Sequence, residues 1–506
     1  MKKYFKKTVA VLLILSFLFA MTACSQDANK PQDTNKTQGT NKPSDEDGKA
    51  DEMSHDAWDI ETEFLIIGGG VAGLTAAIEA ADVGFEDILV IEKLAVLGGS
   101  AFVSEGILGG YETIVTKKLD LHIDPKDMFD DQMKEKKYIL DPELTWLTTE
   151  KSGQTIDWLI EHLGVKFEDE VGTKDGYGNL PVIHIVEGGG PGLREHYNNA
   201  INERKAITVS TETRGTELIV VDGAVIGAAA QQGDKTIRIK ADAVMLATGG
   251  YNSNHDIISN SFPANRIFQT SLMPSSTGDG LLMATAIGAG TNNLDQIQCY
   301  LREYDDPRSQ TPYLYNIYVG LEGKRFMDEK RTPQTYNQEN RDALIEQTSK
   351  DGTDYFWAIN DHAAMAAFGI DEDAKTRKGV AIADTIEELA AAIGVNPEGL
   401  KSTVEHWNEM VDKGEDSDFG RTRSLSKIEN GPFYALKTIF FSSVCHGGIT
   451  KNAKAEVTRL DGSTIPGLYA SGEVTTVTNS NGYTISNAIT FGRIAAQSAI
   501  EYCKNK

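Results

Sequence analysis

Apolar residues change their spacing several times along this 506-residue chain, and each change marks an element. Short unbroken runs at 64–67, 88–91 and 243–246 are rich in Ile, Leu and Val, and have the length of buried parallel strands. Helical spacing takes over at 125–137 and at 142–163, where Leu144, Leu147, Ile156, Leu159 and Ile160 form one face. Further helical runs are predicted from Leu193 and at 281–287, 340–347, 386–393, 397–411 and 486–499. From 208 to 240, short alternating strands at 218–221, 224–226 and 236–239 surround the turn Asp222-Gly223 and predict a small antiparallel layer. Between 293 and 443 the pattern becomes aromatic-rich and irregular before helices return, which reads as an inserted domain.

The most specific stretch is 63–92, which reads strand, turn, helix, strand. Gly68, Gly70 and Gly73 stand in the order G-x-G-x-x-G where the helix opens, and Glu92 ends the second strand. This is the spacing of a dinucleotide fingerprint. One glycine permits the turn, one lets backbone approach a pyrophosphate, one allows close helix–strand packing, and an acid about 20 residues on accepts the ribose hydroxyls. The competing explanation is a glycine-rich turn in an ordinary α/β unit.

The first 23 residues contain no such unit. Lys2, Lys3, Lys6 and Lys7 precede an apolar core at 9–20 and a small-residue exit, the layout of a secretory signal. Met21-Thr-Ala-Cys24 resembles the bacterial lipobox, by which Cys24 becomes the lipidated N-terminus; the alternative is a plain cleaved signal. Residues 24–57 are dominated by Asn, Lys, Thr, Gln, Pro, Ser, Asp and Glu, with near-repeats, and read as a disordered tether.

Composition narrows the partners. The formal net charge of -25 falls to -29 when the four leader lysines are removed, which argues against nucleic acid. Beyond Cys24 the cysteines are Cys299, Cys445 and Cys503, with no C-x-x-C spacing for zinc, iron–sulfur or c-type haem, so no metal is expected.

Taken in order, G-G-G-V-A-G at 68–73, Glu92, L-G-G-S at 97–100, A-T-G-G at 247–250, T-G-D-G at 277–280, I-P-G-L-Y-A-S-G-E at 465–473 and S-N-A-I-T-F-G-R at 486–493 resemble the fumarate reductase/succinate dehydrogenase flavoprotein family. The soluble exported branches, which include urocanate and other enoate reductases and ketosteroid dehydrogenases, are nearest in style. The resemblance implies an α/β fold: a Rossmann-like FAD-binding domain, here 58–292 and 444–506, with an inserted α+β capping domain at 293–443. It implies FAD held by Gly68, Gly70, Val71, Ala72, Gly73, Glu92, Lys93, Gly98, Gly99, Ser100, Gly106, Gly249, Gly250, Asp279, Gly472, Glu473, Ser486, Asn487, Ala488 and Ile489. Relatives that attach FAD covalently carry a histidine just after the L-G-G-S region. Ala101, Phe102 and Val103 stand here, so non-covalent FAD is expected. Gly188-Gly-Gly-Pro-Gly192 lacks fingerprint spacing and reads as a loop facing substrate or flavin.

The departures from the family's pattern concern the substrate. Its R-L-G-G-N becomes Tyr483-Thr-Ile-Ser-Asn487, so tyrosine replaces a carboxylate-clamping arginine. Its H-H-T-M-G-G becomes Ser443-Val-Cys-His-Gly-Gly448, and Pro333 stands about where a proton-donating arginine is expected, with Arg331 nearby. Without a bidentate guanidinium, a small dicarboxylate is an unfavoured substrate. Tyr483, His446 and Arg331 remain as proton-moving candidates, and Tyr300, Tyr304, Tyr313, Tyr315 and Tyr318 as walls for a larger, neutral or aromatic substrate. The expected reaction is reduction, or the reverse desaturation, of a C=C conjugated to a carbonyl. With no second fingerprint for NAD(P), electrons are expected from a separate donor: an FMN-bearing protein, a cytochrome or a quinone-linked system. The expected place is outside the cytoplasm, on the bacterial cell membrane through lipid. A flavin electron carrier without its own substrate and a solute-binding lipoprotein are the alternatives.

Overall fold

A computed structural model describes residues 57–136, 138–172, 180–261, 273–304, 317–329, 338–367, 369–479 and 482–506. Residues 57–506 form one compact unit built on two main sheets.

The larger sheet has eight strands. Its path runs Glu456–Thr458, Thr464–Ala470, Lys235–Leu246, Ile60–Ile67, Ile88–Ile91 and Ile207–Ser210, parallel from the second strand onward. The strand centres at 64–67 and 88–91 are at most 5% exposed, so both faces are covered and no alternation survives in the sequence. On one face lie the helix Val71–Val83 and the closing helix Thr484–Lys504, packed on each other. Small residues permit that close packing: a Cβ on Gly492 would stand 2.7 Å from Ala72 O.

Two sequence expectations about this sheet are corrected. Residues 207–210 do not belong to the antiparallel layer. They form the parallel edge, paired to Ile88–Ile91, because strand direction is decided by the partner and not by local alternation. The runs expected separately at 236–239 and 243–246 form one strand, Lys235–Leu246. Its first half pairs antiparallel with Ala224–Gln232, and its second half pairs parallel with Thr464–Ala470.

The insert carries the second sheet, of five strands. Its entry strand Ile297–Glu303 and exit strand Phe433–Cys445 lie side by side antiparallel. Phe356–Asp361 and Val380–Ala383 also pair with the exit strand, and Ile317–Val319 flanks Phe356–Asp361. The helices Ile386–Ile393 and Pro397–Lys413 cover this sheet through Leu389, Ile393, Leu400, Val404 and Trp407. Arg325 is buried within the insert, bonded to Glu329 and Asp416 and lying 4.5 Å from the Trp407 ring centroid. The architecture is a Rossmann-like α/β body with an inserted capping part, as expected from the sequence.

Helix ends follow local chemistry. Asp124, Asp141 and Asn396 each precede a proline and accept a backbone N–H of the first turn, and Gly164, Gly394 and Gly414 end helices in the left-handed region.

Candidate active site

The fingerprint glycines differ in what surrounds them. Gly68 has φ +115°, and a Cβ there would stand 2.3 Å from Ala247 O, so the turn and its contact with the next strand both require glycine. A Cβ on Gly73 would stand 2.0 Å from Gly68 O, which makes it the packing position. Gly70 has no protein atom within 4 Å of that point, so it faces open space. Gly70 caps the helix Val71–Val83 without a side-chain acceptor. The N-terminal N–H groups and positive dipole end of that helix are therefore directed at a cleft.

That cleft holds about 1240 Å³ of atom-free space, open solvent included, enough for a dinucleotide. Its wall includes Gly68, Gly70, Val71, Ala72, Glu92, Lys93, Gly98, Gly99, Ser100, Gly249, Asp279, Gly472, Glu473 and Ala488 from the predicted set. Glu92 is held by the N–H groups of Gly69 and Leu94, each at 2.8 Å. Asp279 accepts from Lys93 at 2.8 Å and from Arg214 at 2.6 Å. Burial works to raise its pKa, but these two cations outweigh it and hold the carboxyl below its ordinary value.

Six predicted residues stand behind the wall. Gly73 and Gly106 are packing positions, the latter against the backbone of Gly189 and Gly190. A Cβ on Gly250 would lie 2.6 Å from Glu473 Oε1. Ser486 donates to Gly109 O at 2.9 Å, Asn487 donates to Thr478 Oγ1 at 2.9 Å, and Ile489 is in the core. The glycine run at 188–192 does not face the cleft. It starts the helix Gly189–Glu203 and packs on the backbone of 101–106, with Pro191 tolerated in the first turn. Sequence reasoning missed Arg214 and Thr248, both in the cleft wall. Thr248 Oγ1 is buried without a hydrogen-bond partner among the described residues.

An FAD fits this set on structural grounds. Glycine clearances at Gly70 and Gly249 admit a ligand, a helix N-terminus suits the pyrophosphate, and Glu92 suits a ribose. Toward the closing helix, Glu473 is half-buried and accepts the Cys445 N–H at 2.8 Å. Burial pushes its carboxyl pKa up to about 7.

The proton-moving candidates lie beside that end of the cleft. Tyr483 caps the closing helix, whose next residues Thr484 and Ile485 line the wall. Its ring is 1% exposed and packs with Met128 and Val182, and its hydroxyl has no hydrogen-bond partner among the described residues. Burial, with the charges of Asp131 and Glu135, raises the phenol pKa well above its ordinary value. His446 is equally buried. Its N–H donates to Gln296 O at 2.9 Å, and its Nε2 meets Gln298 Oε1 at 3.2 Å. Burial and the nearby Lys136 keep the imidazole well below its ordinary pKa, hence neutral.

Arg331, Tyr313, Tyr315 and Cys24 lie outside the described residues, as does the Tyr300 side chain. Tyr318 is strand core, edge-on to Phe356, and Tyr304 lies edge-on to Tyr355 with the Lys437 ammonium over its ring, so neither walls the cleft. Among the described residues no cluster suits a metal ion, and no helix is long and apolar enough to cross a membrane.

Comparison with known proteins bears on this geometry. The profile of a family described as "FAD binding domain" matches residues 63–487. The chain is 32% identical over 466 residues to the "Fumarate reductase (cytochrome)" of Shewanella frigidimarina, covering 89% of this chain and 78% of that protein. It is 29% identical over 461 residues to the "Urocanate reductase" of Eggerthella lenta, covering 87% and 74%. Among solved structures, the open conformation of a flavocytochrome c3 fumarate reductase superposes with a TM-score of 0.75 at 26% identity, covering 88% of this chain and 79% of that one.

Proposed function

Because this chain belongs to the FAD-binding flavoprotein family of the fumarate reductases and succinate dehydrogenases, and is thereby an FAD-dependent oxidoreductase acting on CH–CH groups, we propose that it reduces a C=C conjugated to a carbonyl, the reverse desaturation using the same groups. FAD is bound non-covalently. When bound, it supplies hydride exchange with carbon through its N5.

The observation that carries the substrate reading is the chemistry at position 483. A buried phenol with an unpartnered hydroxyl stands where the family resemblance places a guanidinium. A neutral hydroxyl donates one hydrogen bond to one oxygen and cannot grip a carboxylate with two parallel bonds. A small dicarboxylate is therefore disfavoured. Tyr483 keeps its proton at neutral pH, because burial and two nearby acids oppose its loss, and it donates that hydrogen to the carbonyl oxygen of the substrate. His446, neutral and held at Nε2 by Gln298, is the second candidate for moving the proton to carbon; Arg331 is the third.

We place the cofactor body at 58–292 and 444–506, the cap at 293–443, and a disordered tether at 24–57 following lipidation at Cys24. In this reading the enzyme works outside the cytoplasm, fixed to the cell membrane by lipid, and receives electrons from a separate carrier. Urocanate reductase activity in a relative supports an unsaturated substrate with a ring.

Anaerobic oxidation of viologen by enoates, enones and steroids tests the reading. Turnover with a conjugated alkene and little with fumarate is expected. If no alkene is reduced while a redox protein exchanges electrons with the flavin, the chain is a carrier without its own substrate.

A further inference from the structure

Arg214 stands in the wall of the cofactor cleft, at the second residue of the strand Thr213–Val221. Its Nη2 donates to Asp279 Oδ1 at 2.6 Å, and its side chain is 56% exposed. Nε and Nη1 make no hydrogen bond among the described residues. The guanidinium is therefore held by one bond, with much of its surface left open.

Its place is tied to the residue suited to a ribose. The strand begins beside Glu92, Thr213 N–H donating to Glu92 O at 2.8 Å, and Glu212 N–H donates to Leu94 O at 3.1 Å. Leu94, in the wall and 38% exposed, lies with Ile67 and Ile91 as apolar lining at this end. A Cβ on Gly215 would stand 2.7 Å from Ile67 Cγ2, so glycine lets the strand close on that apolar lining. Beyond the ribose of a dinucleotide, away from the pyrophosphate, comes the base.

Charge does not account for the arginine. Asp279, 6% exposed, already accepts from Lys93 at 2.8 Å and from Thr277 Oγ1 at 3.0 Å. Glu92 and Asp279 balance Lys93 and Arg214, so this end of the cleft offers no excess positive charge to a further phosphate. What a guanidinium has and an ammonium lacks is a weakly hydrated plane that stacks on aromatic rings.

We propose that Arg214 is the base-recognition residue of the cofactor site: its guanidinium, oriented by Asp279, stacks on the adenine of FAD beside the apolar lining at Leu94. This rests on the reading that Glu92 takes the adenosine ribose, and it is independent of which alkene is reduced.

The test is calorimetric titration of the FAD-free protein with FAD, FMN, ADP and ribose 5-diphosphate, the last lacking only the base of ADP. Wild type is expected to bind ADP at least about tenfold tighter than ribose 5-diphosphate, the effect of about one stacked base. Arg214→Met should weaken FAD and ADP about tenfold, and FMN and ribose 5-diphosphate by less than about twofold. Arg214→Lys keeps the charge without the plane and should lose FAD affinity as the Met variant does. Equal binding of ADP and ribose 5-diphosphate by wild type overturns the proposal. So does wild-type FAD affinity in Arg214→Lys, which makes the contact one of charge, and so does a loss of FMN affinity equal to that of FAD, which makes the arginine a general support of the cleft. Should Arg214→Met fail to fold, Arg214→Lys, able to keep a bond to Asp279, carries the same comparison. The underlying reading fails separately: unchanged affinity of Glu92→Gln for both ADP and ribose 5-diphosphate removes Glu92 from the ribose, while an Arg214-dependent preference for ADP still stands.

Discussion

The ring of Tyr483 fills the space that a side chain at Gly109 would need: a Cβ at 109 would stand 2.1 Å from Tyr483 Cδ1. Hydrogen bonds hold the Gly109 backbone from both sides, with Gly109 N–H donating to Gly482 O at 2.8 Å and the Ser486 hydroxyl donating to Gly109 O at 2.9 Å. Gly109→Ala must therefore push the ring aside. We expect turnover to fall about 10²-fold, the loss associated with a displacement near 1 Å. The flavin should stay bound, because Gly109 is not in the cleft wall. Steady-state rates with the flavin spectrum as control check this, and wild-type turnover in the alanine variant would remove the ring from the chemistry.

Tyr483→Phe separates two roles of the same residue. Loss of the hydroxyl should lower turnover about 10²-fold or more, the usual contribution of a positioned proton donor. Stability should be unchanged or higher, by up to about 1–3 kcal/mol, since a buried hydroxyl without a protein partner is removed. A thermal melt and a turnover assay on one preparation are enough. A variant that is slower and also less stable would point to a structural hydroxyl.

The fingerprint glycines give opposite outcomes on the same substitution. Gly73→Ala puts a methyl 2.0 Å from Gly68 O, a contact with backbone that no side chain can relieve, and should destabilise the protein by about 1–3 kcal/mol or more. Gly70→Ala meets no protein atom within 4 Å and should leave the FAD-free protein as stable as wild type, while FAD affinity drops. Melting of the FAD-free variants and fluorescence titration with FAD distinguish the two. Similar stability losses in both would argue against a ligand path at Gly70.

Glu473 predicts a pH dependence in the FAD-free protein. Its folded pKa of about 7 lies above the ordinary 4.5, so between these values the folded state binds more protons than the unfolded state. Stability then falls as pH rises from about 4.5 through 7, by at most about 3 kcal/mol from this group. Glu473→Gln keeps an acceptor for the Cys445 N–H and should flatten the slope. Urea unfolding across that pH range measures it, and an unchanged slope in the variant assigns the effect to another group.

What could be read from sequence was what depends on local chemistry. Helices Pro142–Leu163 and Ile386–Ile393 were predicted to the residue, because Asp141-Pro142 or Thr385 starts each and Gly164 or Gly394 ends it. Gly68 and Gly73 were legible because only glycine meets their demands, and Gly70 through its spacing between them. What could not be read depends on partners distant in the chain. Ile207–Ser210 is an edge strand only because Ile88–Ile91 lies beside it. Arg214 enters the cleft by virtue of its bond to Asp279, 65 residues away. Lys136, within the run Lys134-Glu-Lys-Lys137, has the composition of a solvated helix end, and only the fold shows it buried.

The exit strand Phe433–Cys445 runs without a break from the sheet of the cap to the residue bonded to Glu473. Its neighbour Ile297–Glu303 makes the same passage in reverse, so the insert leaves and rejoins the body through two adjacent, hydrogen-bonded threads. An insertion anchored in this way behaves as an interchangeable cartridge. Its interior can be lengthened, shortened or repacked by mutation while the spacing of the two threads, and with it the cofactor cradle, is conserved. Under the function proposed above, a change of substrate then calls for changes in the cartridge and in a few residues beside the cleft, Gln298, His446 and Tyr483 among them.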